Sequence, residues 1–366
     1  RGGRTRVIEN GNVFEKGGVN VSAVHGKLPD TMQKMFGVGE ADFFACGLSL
    51  VIHPKNPMVP TVHANWRYFE MYDDNGNVIN SWFGGGQDLT PYYLFEEDAI
   101  HFHQTCKTAC DKHNPAFYPN YKKKCDDYFW NAHRFEARGI GGLFFDYLKA
   151  TEEQTMEDWY NFVSGVGNSF LTAYLPIVEK RKDLHFTEAN RSWQEIRRGR
   201  YVEFNLVHDK GTLFGLKTNG RIESILMSLP PHVQWVYDHH PEAGSEEEKL
   251  IKTLENPIHG KTSQISIINE NSVLFKNLPK KFSVMRYHSL YVDEKSLPKD
   301  LIITAKSDDG IIMALEHKSK NIYGIQFHPE SFFTEYGKII IKNFVISKSR
   351  DLKEVKIVEK NNNLEK

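Results

Sequence analysis

The sequence predicts a fold of the α+β class, and two observations lead to this prediction. First, the run from 47 to 69 reads as two strands joined by a turn with Pro54, Pro57 and Pro60, which cannot sit inside a central ladder. Second, three longer segments carry residues at helical spacing. These helical segments are 95–112, 121–138 and 156–182.

The second strand of this hairpin has one polar and one apolar face. Side chains alternate along a strand, so Val62 and Ala64 point one way while His63, Asn65 and Arg67 point the other. Three such polar residues in succession are poor core material, and they favour the floor of a pocket. The alternative is a solvated sheet face.

The remaining elements follow from the same patterns. Lys27 to Glu40 reads as a loop, and Asn219-Gly220 reads as the turn of a strand pair. Further strands are predicted at 19–24, 43–52, 201–209, 264–268 and 301–305. Further helices are predicted at 242–256 and 336–348, and the end of the chain is a polar tail.

Composition bounds the class of protein. The net charge of −1 gives no general attraction to nucleic acid or anionic lipid, and no apolar run approaches the roughly 20 residues of a membrane span. The start of the chain does not read as a signal peptide. All four cysteines lie within the first 125 residues without a disulfide pattern, so we expect reduced thiols and a cytoplasmic location.

Two local features carry candidate chemistry. Asp88 follows the glycine triplet 84–86, so it is either a turn cap or a placed carboxylate. His103, Cys106 and Cys110 have helical spacing, which a metal site could use. Thiols at this spacing are more often small core residues.

Several long motifs together resemble one family. The chain contains GLSLVIHPKNPMVPTVHANWRYF, WFGGGQDLTPYY, RGIGGLFFD and RRGRYVEFNLVHDKGTLFGL. Over residues 1–257 these motifs are similar to oxygen-dependent coproporphyrinogen III oxidases. The resemblance implies a large antiparallel sheet flanked by helices on both faces, and a homodimer. Relative to this family we expect a missing N-terminal helical segment, and Tyr147 stands where a second Asp is common.

The resemblance implies a reaction and a site. Coproporphyrinogen III and molecular oxygen would be the substrates, and two propionates would become vinyl groups. His63 matches a proton donor, while Asp88 and Asp209 would hold the pyrrole N–H groups. Arginine forks bind carboxylates, and further residues would contact the substrate beside them. This substrate-binding set is Ser49, Asn65, Trp66, Arg67, Arg134, Arg138, Arg198, Asn219, Gly220 and Arg221.

The same resemblance bears on metals. His53, His103 and His133 match histidines proposed as metal ligands in bacterial relatives. The alternative is that they line the pocket as hydrogen-bonding partners. We expect no required cofactor beyond molecular oxygen, with a divalent metal as the alternative.

Residues 258–346 resemble the C-terminal half of a class I glutamine amidotransferase of the anthranilate or aminodeoxychorismate synthase type. The motifs are VMRYHSLYV and GIQFHPESFFTEYG, so His328 and Glu330 match the pair that activates a nucleophilic cysteine, with Ser289 and Leu290 nearby. No cysteine follows Cys125, so the nucleophile is missing.

Residues 347–366 form the polar tail of the resulting chimera. Three functions are possible: an active oxidase, a glutamine-dependent amidotransferase, or an inactive porphyrinogen-binding chimera. The missing cysteine argues against the second.

Overall fold

The computed structural model describes residues 2–217, 220–255, 261–286, 291–331 and 334–349. The chain divides into two compact units, Arg1–Pro257 and Ile258–Lys366, each with its own sheet. Within the described residues, no helix is both long and apolar enough to cross a membrane.

The first unit is built on a six-stranded antiparallel sheet. Its strands are β1 (Gly2–Glu9), β2 (Phe14–Lys27), β3 (Asp42–Pro54), β4 (Thr61–Tyr72), β5 (Val78–Thr90) and β8 (Gly141–Leu148). They lie in the order β1-β2-β3-β4-β5-β8. The short strands β6 (Trp130–Asn131) and β7 (Glu136–Ala137) form a separate hairpin. The predicted hairpin at 47–69 is confirmed as part of β3 and β4.

Helices lie on both faces of this sheet, as predicted. They are α1 (Asp30–Phe36), α2 (Glu96–Asp111), α3 (Phe117–Tyr128), α4 (Met156–Arg181), α5 (Glu188–Val207), α6 (Lys210–Lys217), α7 (Ile222–Leu226) and α8 (Glu246–Glu255). On the apolar face, the ring of Trp66 meets Phe170 of α4 at 5.9 Å. On the opposite face, Phe144 of β8 packs against Phe129 and Phe204 of the α3–α5 region.

Four element predictions were wrong. The helix predicted over 121–138 ends at Tyr128, because the chain turns back there and the Arg138 N–H donates to the Phe129 carbonyl. The strand predicted over 201–209 belongs to α5, which begins at the Thr187 capping box. The loop predicted over 27–40 contains α1. Helices α6 and α7, not strands, flank the predicted Asn219-Gly220 turn.

The second unit has a five-stranded antiparallel sheet of order β10-β9-β11-β12-β13. Its core contains Ile265, Phe282, Met313 and Phe327. Its elements are β9 (Lys261–Ile267), β10 (Lys281–Arg286), a single 3₁₀ turn (Glu294–Ser296), β11 (Leu301–Ser307), β12 (Ile312–His317), β13 (Tyr323–Ile325) and α9 (Gly337–Ser349). The polar tail predicted from 347 overlaps the end of α9, and its residues from 350 onward lie outside the described range.

Candidate functional site

The strand register gathers polar residues on one face of the first sheet. Ser49 lies opposite Asn65, and His63 lies opposite Asp88. Arg67 lies opposite Gly84, where the absence of a side chain leaves room for the guanidinium. Because side chains two residues apart share a face, these residues form the contiguous surface that the sequence predicts.

Asp88 is the buried centre of this surface. Only 2% of the residue is exposed, and both of its oxygens are engaged. Oδ1 lies 2.6 Å from His63 Nδ1, and Oδ2 accepts from Arg138 Nη2 at 2.5 Å. Burial raises the pKa of Asp88, but the charges of Arg138 and His63 outweigh burial and leave that pKa below its usual value. Asp88 is therefore a carboxylate that orients His63, rather than a free acceptor for substrate N–H groups.

The carboxylate of Asp88 also fixes the tautomer that His63 takes whenever its imidazole is neutral. A carboxylate can only accept, so the hydrogen on Nδ1 is donated to Asp88. The lone pair of the neutral imidazole then resides on Nε2. The His63 side chain is about a quarter exposed (26%), which suits a group that exchanges a proton with a bound molecule.

Arg138 is the counter-ion of Asp88 rather than a substrate fork. Nη1 donates to Asn205 Oδ1 at 3.1 Å, and the guanidinium carbon lies 3.8 Å from the centre of the Phe129 ring. Burial lowers the pKa of Arg138, but the charge of Asp88 outweighs burial and leaves that pKa above its usual value. The guanidinium therefore stays protonated. Its side chain is 2% exposed, which leaves no open edge for a ligand carboxylate.

Arg67 is partly exposed on the polar sheet face, with 37% of its side chain accessible. Nη2 lies 2.8 Å from Asp146 Oδ2, and Nη1 donates to Asn65 Oδ1 at 3.3 Å. Gly84 lies directly beneath this pair. The partly exposed guanidinium can bind the carboxylate of a ligand.

Arg134 is held elsewhere, by Glu203 on α5. Nε and Nη2 both donate to the Glu203 carboxylate at 2.8 Å. His133, Arg200 and Trp235 also contact this carboxylate. Burial raises the pKa of Glu203, but its hydrogen bonds to Arg134 and His133 bring it to about 2. The structure therefore places Arg134 in a firm cross-link of the β6–β7 hairpin to α5.

Arg198 lies inside the protein, with its side chain 0% exposed. Nη1 donates to Glu15 at 2.8 Å and Nη2 to the Pro54 carbonyl at 2.8 Å, while Nε donates to the Tyr92 hydroxyl. These contacts tie α5 to the β-sheet. Arg198 thus stabilises the fold and does not reach the pocket surface.

Arg198→Ala is therefore expected to lower the free energy of unfolding by about 3 kcal/mol, because it removes one partner of a buried ion pair. Glu15 keeps Arg191 as a second partner, which places the effect at the low end of the usual range. Chemical denaturation measures this loss. The control is Arg221→Ala, whose side chain is 76% exposed. Equal stability of the two variants would contradict the buried role.

Asp209 caps a helix close to the site. Its Oδ2 accepts from the backbone N–H and the hydroxyl of Thr212 in the first turn of α6, and its Oδ1 accepts from the Tyr128 hydroxyl at 2.9 Å. Its charge also contributes to the raised pKa of Arg138, after burial and the larger effect of Asp88. Asp209 and Asp88 thus act on the same arginine, although Asp88 bonds to it directly and Asp209 bonds to Tyr128 and Thr212 instead.

The other predicted site residues, those of the amidotransferase resemblance included, fall into four groups. Ser49 and Asn65 lie on the pocket surface. Gly220 and Arg221 come just before α7. The Asn20 side chain, on the same sheet face as Ser49, donates to the Ser224 carbonyl of α7 and so holds this helix at that face. Trp66 lies on the opposite, apolar face. Asn219, Ser289 and Leu290 lie outside the described residues.

The structure keeps the three candidate metal histidines apart. His53 contacts Thr61 and the Ser228 carbonyl, and His103 contacts Tyr118 and the Ile140 carbonyl. His133 contacts His208 and Glu203. Burial lowers the pKa of His53 to about 3, so it is neutral. In the described part of the chain, no three His, Cys, Asp or Glu residues are grouped to hold a metal ion.

Four residues of the site are not predicted from the sequence. The strand prediction puts Glu203 and Asn205 on a strand face, and no local pattern assigns a role to Asp146 or Tyr128. Asp146 ends the motif RGIGGLFFD, so its position in a long motif is the available signal. The partners of these residues come from other elements, and local periodicity does not reveal such pairings.

In the second unit, His328 Nδ1 lies 2.8 Å from Glu330 Oε1. The Thr334 hydroxyl donates to the His328 carbonyl, which supports the turn after β13. A thiol nucleophile for this pair is absent from the sequence after Cys125.

The first unit thus presents a sheet face on which an exposed arginine lies near an imidazole paired with a buried carboxylate, groups that suit an enzyme which binds an anion and exchanges a proton. The profile of the coproporphyrinogen III oxidase family matches residues 1–259. The chain belongs to this family, as the sequence motifs predicted.

Named relatives agree with this assignment. Coproporphyrinogen-III oxidase 1 of Arabidopsis thaliana, described as chloroplastic, is 54% identical over 266 residues, 70% of this chain and 68% of that protein. The oxygen-dependent coproporphyrinogen-III oxidase of Drosophila melanogaster is 53% identical over 265 residues, 70% and 67% of the two chains. The protein of that description from Francisella philomiragia is 53% identical over 252 residues, 68% and 80% of the two chains.

The C-terminal part matches a different family. The profile of class-I glutamine amidotransferases matches residues 217–348, which overlaps the end of the oxidase match. A solved structure, that of a putative GMP synthase component from Thermoplasma acidophilum, aligns at 30% identity over 25% of this chain and 47% of that one, with a TM-score of 0.23. The two family matches support the prediction of a chimera.

Proposed function

We propose that the chain catalyses the oxygen-dependent oxidative decarboxylation of coproporphyrinogen III to protoporphyrinogen IX. The observation that carries this proposal is the pairing of an exposed Arg67 with a His63 oriented by the buried Asp88, all on one sheet face. An arginine fork binds a propionate, and the adjacent imidazole exchanges protons with the reacting carbons. The relatives described as oxygen-dependent coproporphyrinogen-III oxidases support the same substrate and oxidant.

Binding rests on a small set of open residues. Arg67 takes a propionate carboxylate, and Asn65 and Ser49 on the same surface offer hydrogen bonds. Arg221, at the start of α7, is an exposed cation that can meet a second carboxylate. Holding the substrate at two carboxylates fixes which propionate lies beside His63.

The chemistry needs the protein mainly for positioning and proton transfer. Each propionate side chain loses one proton and two electrons from the carbon next to the ring, and its carboxylate leaves as carbon dioxide, so a vinyl group forms. Molecular oxygen takes the two electrons and two protons and becomes hydrogen peroxide, so one of these protons comes from solvent. Neutral His63 accepts a proton at Nε2, while Asp88 stabilises the imidazolium that results.

We also propose a homodimer and a cytoplasmic location. The edge strand β1 has one partner, β2, among the described strands, and its Val7 and Ile8 are exposed. A free apolar edge of this kind favours pairing with a second copy. The four free thiols suit a reducing compartment. Light scattering after size-exclusion chromatography tests the dimer.

The decisive test is an aerobic assay with coproporphyrinogen III, following the fluorescence of the oxidised product. We expect two molecules of carbon dioxide for each substrate molecule, and no product without oxygen. Adding a metal chelator is expected to leave the rate of this reaction unchanged. Incubating the protein with glutamine is expected to release no ammonia. A rate no faster than that of the protein-free mixture would contradict the proposal.

A further inference from the structure

Arg67, the proposed substrate-binding arginine, already holds a carboxylate of the protein itself. We propose that Asp146 competes with the substrate carboxylate for Arg67, and returns to Arg67 once decarboxylation has removed that carboxylate. The inference rests on the proposed function, because it assigns a role within the same pocket. Asp146 would then weaken binding of a substrate that retains its propionate, and leave binding of a product that has lost it almost unchanged.

The geometry makes this ion pair specific. Asp146 Oδ2 lies 2.8 Å from Arg67 Nη2, while Asp146 Oδ1 accepts from the Tyr147 N–H at 3.0 Å. A Cβ on Gly84 would lie 2.5 Å from Asp146 Oδ1 and 3.0 Å from Arg67 Nε. The bare backbone at Gly84 is therefore what lets the two side chains meet. One oxygen of Asp146 is fixed to the backbone and the other is offered to the guanidinium.

This pair is also more open to exchange than the Arg138–Asp88 and Arg134–Glu203 pairs. The side chains of Arg67 and Asp146 are 37% and 26% exposed, so water and a ligand reach both. By contrast, the Arg138–Asp88 pair is buried, and Glu203 is held by several donors besides Arg134. A ligand carboxylate can displace Asp146 at a small cost, because partly exposed ion pairs are weak.

The exchange has opposite consequences for substrate and product. A propionate on Arg67 must displace Asp146, so Asp146 weakens binding of the substrate. A vinyl group offers no charge to the guanidinium, so Arg67 pairs again with Asp146 and no uncompensated cation is left beside the apolar group. Removing the Asp146 charge should thus tighten binding of the tetracarboxylate and leave binding of the dicarboxylate almost unchanged.

The test measures dissociation constants of two stable porphyrins, coproporphyrin III with four carboxylates and protoporphyrin IX with two, by quenching of protein fluorescence. Asp146→Asn keeps the acceptor for the Tyr147 N–H, so the local fold is retained. We expect this variant to bind coproporphyrin III about two- to fivefold more tightly, the range set by a partly exposed ion pair. Protoporphyrin IX should bind as it does to the native protein, and KM should fall for coproporphyrinogen III.

Two further variants define the comparison. Asp146→Glu keeps the charge and should bind coproporphyrin III like the native protein. Asp183→Asn removes an equal charge just past the end of α4, a helix on the other sheet face, and should change neither affinity.

Each outcome bears on one of the two proposals. If native protein binds coproporphyrin III and Arg67→Ala weakens that binding, unchanged affinity in Asp146→Asn overturns the Asp146 inference alone. An equal shift for both porphyrins also overturns it, because the effect would then not depend on the lost carboxylates. If the native protein binds neither porphyrin, this inference falls, and the aerobic assay with coproporphyrinogen III decides the proposed function separately.

Discussion

Asp88→Asn is expected to lower kcat by about 10²- to 10⁴-fold, the usual contribution of a positioned acid or base, while KM changes little. The reason is that Asp88 lies behind His63 and does not face the open pocket. An amide at this position no longer stabilises the imidazolium, and it can present an N–H to His63, which selects the wrong tautomer.

The same substitution is expected to reduce stability by a few kcal/mol, because Arg138 loses its buried counter-ion. The sign of the pH dependence follows from the lowered pKa of Asp88. The native charge contributes stability above the unfolded pKa of about 4, and this contribution is lost as the pH falls through the lower folded value. The Asp88→Asn variant should therefore lose less stability than the native protein on acidification.

A double variant separates the two effects. Asp88→Asn combined with Arg138→Met removes both buried charges, and such replacements are often neutral for stability. We expect the double variant to recover most of the melting temperature and none of the turnover. A folded Asp88→Asn single variant with the native kcat would show that Asp88 serves packing only.

Local periodicity predicted the floor of the site and the elements that carry it. The alternation at His63, Asn65 and Arg67 fixes their common face in any strand, and the register then adds Ser49 and Asp88. The helix at 156–182 was predicted within one residue because its apolar stripe is long. These features depend on neighbours in sequence, so the sequence reveals them directly.

Periodicity failed where two patterns fit the same residues. Tyr201, Phe204 and Asn205 alternate only in part, and they also follow Arg197 at helical spacing. The Thr187 capping box, with Asn190 as its second member, was the signal that favours a helix. The alternation over nine residues was therefore weaker evidence for a strand than the capping box and the 20-residue length of α5 are for a helix.

The roles of the arginines could not be predicted, because their partners are distant in sequence. Arg198 and Glu15 are 183 positions apart, and Arg138 and Asp88 are 50 positions apart. Motif resemblance assigned all of these arginines to one substrate. The structure instead leaves Arg67 open on the pocket surface and places Arg198 and Arg138 inside buried ion pairs.

Arg67→Ala is expected to reduce kcat/KM for coproporphyrinogen III about 10²-fold, because charged hydrogen bonds to a carboxylate are each worth about 1.5–3 kcal/mol. Binding should carry most of this loss, so the dissociation constant of coproporphyrin III should rise. Arg67→Lys should recover only part of it, since an ammonium cannot form the two parallel bonds of a guanidinium.

Stability should change little in Arg67→Ala, because its ion pair with Asp146 is partly exposed and contributes at most about 1 kcal/mol. The matched control is Arg4→Ala, which removes an exposed arginine from the edge strand β1 and should change neither kinetics nor melting temperature. Steady-state kinetics and thermal unfolding on the three variants make the comparison. A folded Arg67→Ala protein with the native kcat/KM would show that Arg67 does not bind the substrate. The substrate carboxylate would then have to bind another cation, and Arg221 is the most exposed of the predicted arginines.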